Sequence, residues 1–283
     1  MAMLHKAKHR WQRLDPAMAT SLSDARLQLH HAAQLVAAMG ISYLPHQADD
    51  SHTSMEWFAG ALASQIVGPK PFRLAVRPNP FGLVVFVGDA PFAVFNLNGR
   101  TINEAAEWVK RRVGELGLDS SKYTLAKHYT IPNHPVASGA RFDTTETFHF
   151  EELQGWFNDA FVALLSIGDV VANTSPIRCW PHHFDIATLI TTNDDKTIGL
   201  GMEPGDVYYD EPYWYANMSP APSADLPRDE LHGGGQWHTR EWLGAVLPGS
   251  HMVDDEAQQA SVGEFVISAI NACAKLLRRD ATS

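Results

Sequence analysis

Residues 179–217 hold a concentration of proton-transferring and metal-ligating side chains that a water-facing surface does not need. CWPHHFDIATLI carries His182, His183 and Asp185, and GLGMEPGDVYYDEPYWYAN adds Glu203, Asp206, Asp210 and Glu211 among five aromatic rings. If 183–191 is a strand, side chains alternate across it, so His183 and Asp185 project side by side from one face. Such a pair suits three chemistries: two ligands of a divalent metal, a carboxylate orienting a general-base imidazole, or anchors for a polar ligand. A buried His–Asp hydrogen bond that only satisfies two polar groups fits the same pattern.

The aromatic segment that follows suits a pocket for a ring-containing ligand, or equally a sheet face covered by helices. From Pro212 onward, strand alternation puts Tyr213 and Tyr215 on one face and Trp214 on the other. Asp210 and Glu211 then point to opposite faces, so at most one joins the cluster. Further on, LHGGGQWH at 231–238 contains the His-Gly-Gly-Gly of some lipase oxyanion loops, but the chain has no G-x-S-x-G nucleophile turn. It reads instead as a glycine-rich loop that returns to regular structure at Trp237, with His232 and His238 placed to close over the cluster. The segment ADDSHTSMEW offers Asp49, Asp50, His52 and Glu56 from the first half of the chain.

These residues assemble into a concrete expectation. His183 is general base or metal ligand, Asp185 orients or co-ligates, Glu211 or Asp210 is the second carboxylate, and His238 is a loop-borne acid. Asp50, His52, Trp180, His182, Asp210, Tyr213, Tyr215 and Trp237 line the substrate pocket. If a divalent metal is bound, His183, Asp185 and His238 are its expected ligands. No phosphate-binding loop, dinucleotide fingerprint, HExxH or EF-hand loop occurs.

The elements that must position the site read as α+β. Apolar positions at helical spacing mark 21–39, with Ser21 or Ser23 as cap and Gly40 as stop. Strand-like segments follow at 54–66, FRLAVRP, GLVVFVG and PFAVFNLN, and then Thr101 and Glu104 form a capping-box spacing that opens a second helix. The order recurs from 148: a helix at Leu153–Leu165, strands at 183–191, 197–202 and 212–217, an apolar segment at 242–247, and a terminal helix. A shift of 126 positions pairs Leu27, Val36, Ile41, Phe58, Ala61, Leu74 and Pro78 with Leu153, Val162, Ile167, Phe184, Ala187, Leu200 and Pro204. Two pseudo-repeated halves, each helix–antiparallel strands–helix, packed around a shared cleft are therefore expected. The divisions are an N-terminal extension 1–20, a first half 21–120, a connector 121–147, and a second half 148–283 that carries the site. His30 and His31 read as partly exposed residues of the first helix.

The composition, 45% hydrophobic and 19% charged over 283 residues, is that of an ordinary globular chain. A formal charge of −10 argues against nucleic acid as a partner. Cys179 and Cys273 form no CxxC pair and read as core residues. With no apolar run behind the basic N-terminus and no stretch of bilayer length expected, a soluble cytoplasmic protein without membrane contact is the simplest reading.

DDSHTSMEW, LNGRTINEAAEWV, HPVASGARFD, CWPHHFDIATLI, PGDVYYDEPYWY and GGGQWHTREWLGAVLP together resemble a family of uncharacterised bacterial proteins. The resemblance covers nearly the whole chain and brings no catalytic residue with it. The expected function is a small-molecule enzyme, a hydrolase or related acid–base catalyst. Its rival is a non-catalytic protein that binds a ligand or peptide in the same aromatic cleft. A third reading is a homodimer with the aromatic block as its interface.

Overall fold

The fold is described from a computed structural model, for residues 10–192, 195–223 and 225–280. Among these residues there are four α-helices and eleven strands, and the registered strand pairs are antiparallel, so the chain is mixed α+β. It divides into two compact units.

The first unit comprises Leu22–Gln154 and Arg178–Phe184. Its strands lie in the order β6-β1-β2-β3-β4-β5, with β1 Met55–Phe58, β2 Ala61–Ser64, β3 Phe72–Arg77, β4 Gly82–Val87, β5 Ala90–Asn96 and β6 Arg178–Cys179. The segment 54–66 is a hairpin, not one strand. Ala59 and Gly60 both have positive φ (50° and 74°), the geometry that a two-residue turn needs to match the strand twist. Helix α1, Ser23–Tyr43, packs on β2 and β3. It is buried around nearly its whole circumference from Ala25 to Gly40, although Arg26, Gln28, His30, His31 and Gln34 interrupt its apolar residues.

Three expectations for α1 need correction. Leu22, not a serine, precedes its first turn and gives no side-chain cap. Gly40 does not end the helix. A Cβ there would lie 1.9 Å from the His52 carbonyl oxygen, so the glycine is required by close approach. His30 and His31 are buried at 4% and 5% exposure rather than partly exposed, because each ring nitrogen finds a backbone carbonyl inside the unit. Helix α2, Ile102–Glu115, opens on the expected capping box: the Thr101 hydroxyl accepts from the Glu104 N–H, and the Glu104 carboxylate accepts from the Thr101 N–H.

The second unit comprises Met1–Ser21, Gly155–Ile177 and Asp185–Ser283. Its strands run β10-β11-β9-β8-β7, with β7 Ile186–Thr191, β8 Thr197–Glu203, β9 Tyr213–Ser219, β10 Gln236–His238 and β11 Gly244–Pro248. Helix α3, Thr147–Val170, brings Trp156 toward Trp214 of β9. Helix α4, Gln258–Asp280, lays Phe265, Ala269, Ala272, Cys273 and Leu276 into the core beside β8, β9 and β11. By length and composition α4 is also apolar enough to cross a membrane, contrary to the sequence reading that no stretch is. Cys179 and Cys273 are both fully buried free thiols, as expected of core residues.

The His183–Asp185 strand does not form as expected. Residues 181–183 make a turn, the Phe184 N–H donates to the Trp180 carbonyl, and Phe184 takes φ 79°, so regular pairing starts only at Ile186. A bulky residue in the left-handed region breaks strand alternation and costs about 1–3 kcal/mol. Phe184 is held there by stacking on His30, with centroids 4.4 Å apart and planes 7° apart.

Candidate functional site: a histidine cluster on the first unit

Three loops meet on α1, and each is tied to it by a specific contact. The first is the stretch after the helix, residues 45–53. Gly40 lets it approach, placing His52 with its ring 5.0 Å from that of His46. The second is the irregular segment 121–147, which is sewn to the helix by Tyr123 Oη donating to the Leu35 carbonyl and Thr124 N–H donating to Ser42 Oγ. Tyr129 Oη adds a bond to Gln34 Oε1. The third is the 180–184 turn. Its Pro181 carbonyl accepts from both His30 Nε2 and Gln34 Nε2, each at 2.9 Å. Gln34 thus couples two of the three loops through opposite ends of one amide.

The side chains these loops present form a ring-rich polar cluster. His128 Nε2 donates to Asp50 Oδ2 at 2.9 Å; His128 is 56% exposed and Asp50 30%. His128 Nδ1 has no hydrogen-bond partner among the described residues. The His182 ring lies 4.4 Å from that of His183, 5.6 Å from Tyr129 and 6.1 Å from Trp180. The bond from His128 holds the Asp50 carboxyl below its ordinary range. Burial lowers His182, and neighbouring His183 lowers it further while Asp50 pulls the other way. Burial also lowers His52, with His46 adding to it and Asp50 opposing. Burial raises the Tyr129 phenol well above its usual value.

One atom each from His46, Asp50 and His52 lies within 4.8 Å of the other two, the spacing of a potential metal-ligand set. His46 is exposed, Asp50 intermediate and His52 buried. Asp50 takes a left-handed conformation (φ 57°) at the head of the 3-10 turn Ser51–Thr53 and makes no side-chain cap bond to it.

The second unit gathers most of the remaining sequence-designated residues into a different cluster. The Tyr215 hydroxyl donates to Asp185 Oδ2, and the Tyr213 hydroxyl donates to Asp206 Oδ2 at 2.9 Å. Asp206 Oδ1 also accepts the N–H groups of Tyr208 and Tyr209. Tyr215 reaches across β8 only because Gly201 leaves room, since a Cβ there would sit 2.9 Å from the hydroxyl and 2.7 Å from the Ile186 carbonyl. Burial raises both phenols far above the usual range, Tyr215 with help from Asp185 and Tyr213 with help from Glu203 and Asp206. His238 donates from Nε2 to the Arg240 carbonyl and accepts at Nδ1 from Tyr209, while its ring stacks on Trp242 at 4.3 Å.

Asp50, His52, Trp180, His182 and His183 therefore fall in the first unit, and Asp185, Asp210, Glu211, Tyr213, Tyr215, Trp237 and His238 in the second. Within the second, Glu211 is drawn off to Ser250, accepting from its N–H and its hydroxyl. Trp237 Nε1 donates to the Asp229 carbonyl, and Asp210 is exposed. The glycine-rich loop is no lid over this cluster. Cβ atoms on Gly233 and Gly235 would strike the Ser261 carbonyl and the Phe265 ring, so these glycines let the loop lie against α4.

His46 and His128 were missed from sequence. His46 could have been found from PHQADDSH, which packs two histidines and two aspartates into a short loop after a helix. His128 has no such signal, because it sits alone in an irregular segment. Compared with protein-family models, with curated proteins and with solved structures, the chain gives no match.

Proposed function

We propose that the protein is a small-molecule enzyme of the hydrolase or acid–base type, with the histidine cluster of the first unit as its site. The observation that carries this is the Asp50–His128 pair. A carboxylate accepting from one ring nitrogen fixes the tautomer and leaves the other nitrogen as a base. His128 Nδ1 is the exposed proton acceptor, Asp50 stabilises the imidazolium that forms, and His182, Tyr129 and Trp180 shape the surroundings. Asp185, Tyr213, Tyr215 and His238, which the sequence put in the same pocket, serve the second unit as an internal network.

The matched elements of the two units support descent from a duplication. The 126-position shift carries α1 onto α3, β2 into β7 and β3 into β8. It fails at β1, whose counterpart 181–184 is the turn that brings His182 to the cluster, and it does not carry α2 onto α4, since the shifted helix would fall at 228–241.

The test is hydrolysis of p-nitrophenyl esters and phosphates by the purified protein and by His128→Ala and Asp50→Asn. A rate lowered about 100-fold or more in His128→Ala is expected, the span general-base catalysis usually covers. Turnover that is absent, or equal in the two variants and the parent, would overturn the catalytic reading. The rival, a non-catalytic binding protein, would then require that a ligand perturb His128 and His182 without being turned over.

A further inference from the structure

We propose that His46, Asp50 and His52 bind one divalent ion of the zinc class, leaving at least one coordination position open. The inference rests on the reading above for the location of the site, but not for the chemistry, because binding can be read without turnover.

The donor set selects the ion. Two imidazoles and one carboxylate suit zinc and its neighbours, whereas magnesium and calcium demand oxygen ligands throughout. Three protein ligands with a vacant position are the pattern of catalytic rather than structural zinc. Ligand bonds of about 2.0–2.2 Å place tetrahedral donors roughly 3.3 Å apart. The present donors lie within 4.8 Å of one another, so closure asks for a movement of about 1.5 Å or less.

The three side chains differ in how easily they can supply that movement. His52 is buried at 8% exposure and sits where Gly40 admits its backbone, while Asp50 is tethered to His128. His46 is exposed and follows Pro45, so its side chain is the arm that closes. The His128 bond occupies only Asp50 Oδ2, so Oδ1 remains for an ion. A ligating carboxylate that is itself hydrogen-bonded is the usual outer-shell arrangement, and it sets the carboxylate's orientation. The opposing cost is visible at His52, whose Nδ1 accepts a long 3.3 Å bond from the Gln47 N–H. Ligation through Nδ1 replaces that bond, and ligation through Nε2 requires the ring to change tautomer.

Of the three metal ligands expected from the sequence, His183 lies in the first unit and Asp185 and His238 in the second, and His238 is already committed. Both of its ring nitrogens are engaged, by Tyr209 and by Arg240. Ligation through either nitrogen displaces the hydrogen bond at that nitrogen, so an ion enters this cluster only at the loss of an internal bond.

The experiment is titration of the chelator-treated full chain with Zn2+ and with Co2+, followed by calorimetry and by the visible absorption of bound cobalt. One equivalent per chain is expected, with affinity about 100-fold weaker in His46→Ala and in Asp50→Asn, and unchanged in His232→Ala. His46 is exposed, so its variant keeps the fold, and circular dichroism verifies this. No saturable one-equivalent binding by the parent, or equal affinity in His46→Ala, overturns the inference. Zinc binding without His128-dependent turnover leaves the metal site standing and removes the catalytic reading. His128-dependent turnover without zinc binding does the reverse.

Discussion

In the first unit an exposed imidazole, His128, leans on Asp50 with one ring nitrogen and offers the other to solvent. In the second, His238 spends both ring nitrogens inside the fold, on Tyr209 and on the Arg240 carbonyl, and its ring is covered by Trp242. Both regions combine carboxylates with aromatic and imidazole rings. They differ in where the last lone pair goes. In the buried cluster, Asp206 accepts three hydrogen bonds, and Gly201 opens the path by which Tyr215 reaches Asp185. Such a network fixes how β8 and β9 present their faces. In the exposed cluster, polar atoms converge from three loops on one helix and some of their capacity is left over. Density of titratable residues is common to both regions; residual hydrogen-bonding capacity is what favours the first as the proposed site.

The strongest way to break this contrast is at Gly40. Gly40→Ala puts a methyl group 1.9 Å from the His52 carbonyl oxygen, so helix and loop must separate. Overpacking of this kind costs about 3 kcal/mol. Denaturant unfolding should show that loss together with loss of zinc affinity; an unchanged midpoint would mean that α1 does not seat the site.

Next in size is the helix platform itself. His30 is 4% exposed, and burial, opposed by its bond to Pro181, lowers its pKa to about 3. The folded value lies below the ordinary one of 6.5, so the unfolded chain binds the extra proton and stability falls as pH drops through that window. About 2 kcal/mol should be lost between pH 6.5 and pH 5 on this account. His30→Gln, which can still donate to the Pro181 carbonyl, should flatten that part of the stability–pH curve. An equally steep curve in the variant would assign the loss to other groups.

A smaller effect is expected in the second unit. Tyr215→Phe removes the donor to Asp185 and should cost about 1–2 kcal/mol, the range for leaving a buried acceptor without its donor. It should leave zinc binding unchanged. The smallest stability change belongs to His128→Ala, within about 0.5 kcal/mol as for an exposed side chain, although it should lower turnover about 100-fold or more. If Tyr215→Phe impaired turnover as much as His128→Ala, the division between network and site would be wrong.

The regular elements were largely legible in the sequence. The α2 capping box was written in Thr101 and Glu104, the strands β3, β4 and β8 in apolar runs bounded by glycine or proline, and β7 in the run ATLIT. What escaped was geometry at positive φ and at close approaches. Ala59 takes a conformation more usual for glycine or asparagine, so the β1–β2 hairpin looked like one strand. Phe184 does the same, so His183 and Asp185 seemed to alternate where a turn in fact separates them. Gly40 read as a helix stop and Gly233 as part of a glycine-rich loop over the cluster, yet both answer to a carbonyl pressed against them from elsewhere in the fold. The site was legible only in part. Of the residues in the proposed site, Asp50, His52, Trp180 and His182 were named from composition, but His128 reaches Asp50 across 78 residues of chain. No local pattern reports such a contact.

The most direct measurement of the central claim is the ring 15N spectrum of the histidines before and after one equivalent of Zn2+. The expected result is that nitrogens of His46 and His52 move to metal-bound positions while both nitrogens of His238 stay where Tyr209 and Arg240 hold them. A spectrum in which His238 shifts, or in which no histidine of the first unit does, would contradict the account.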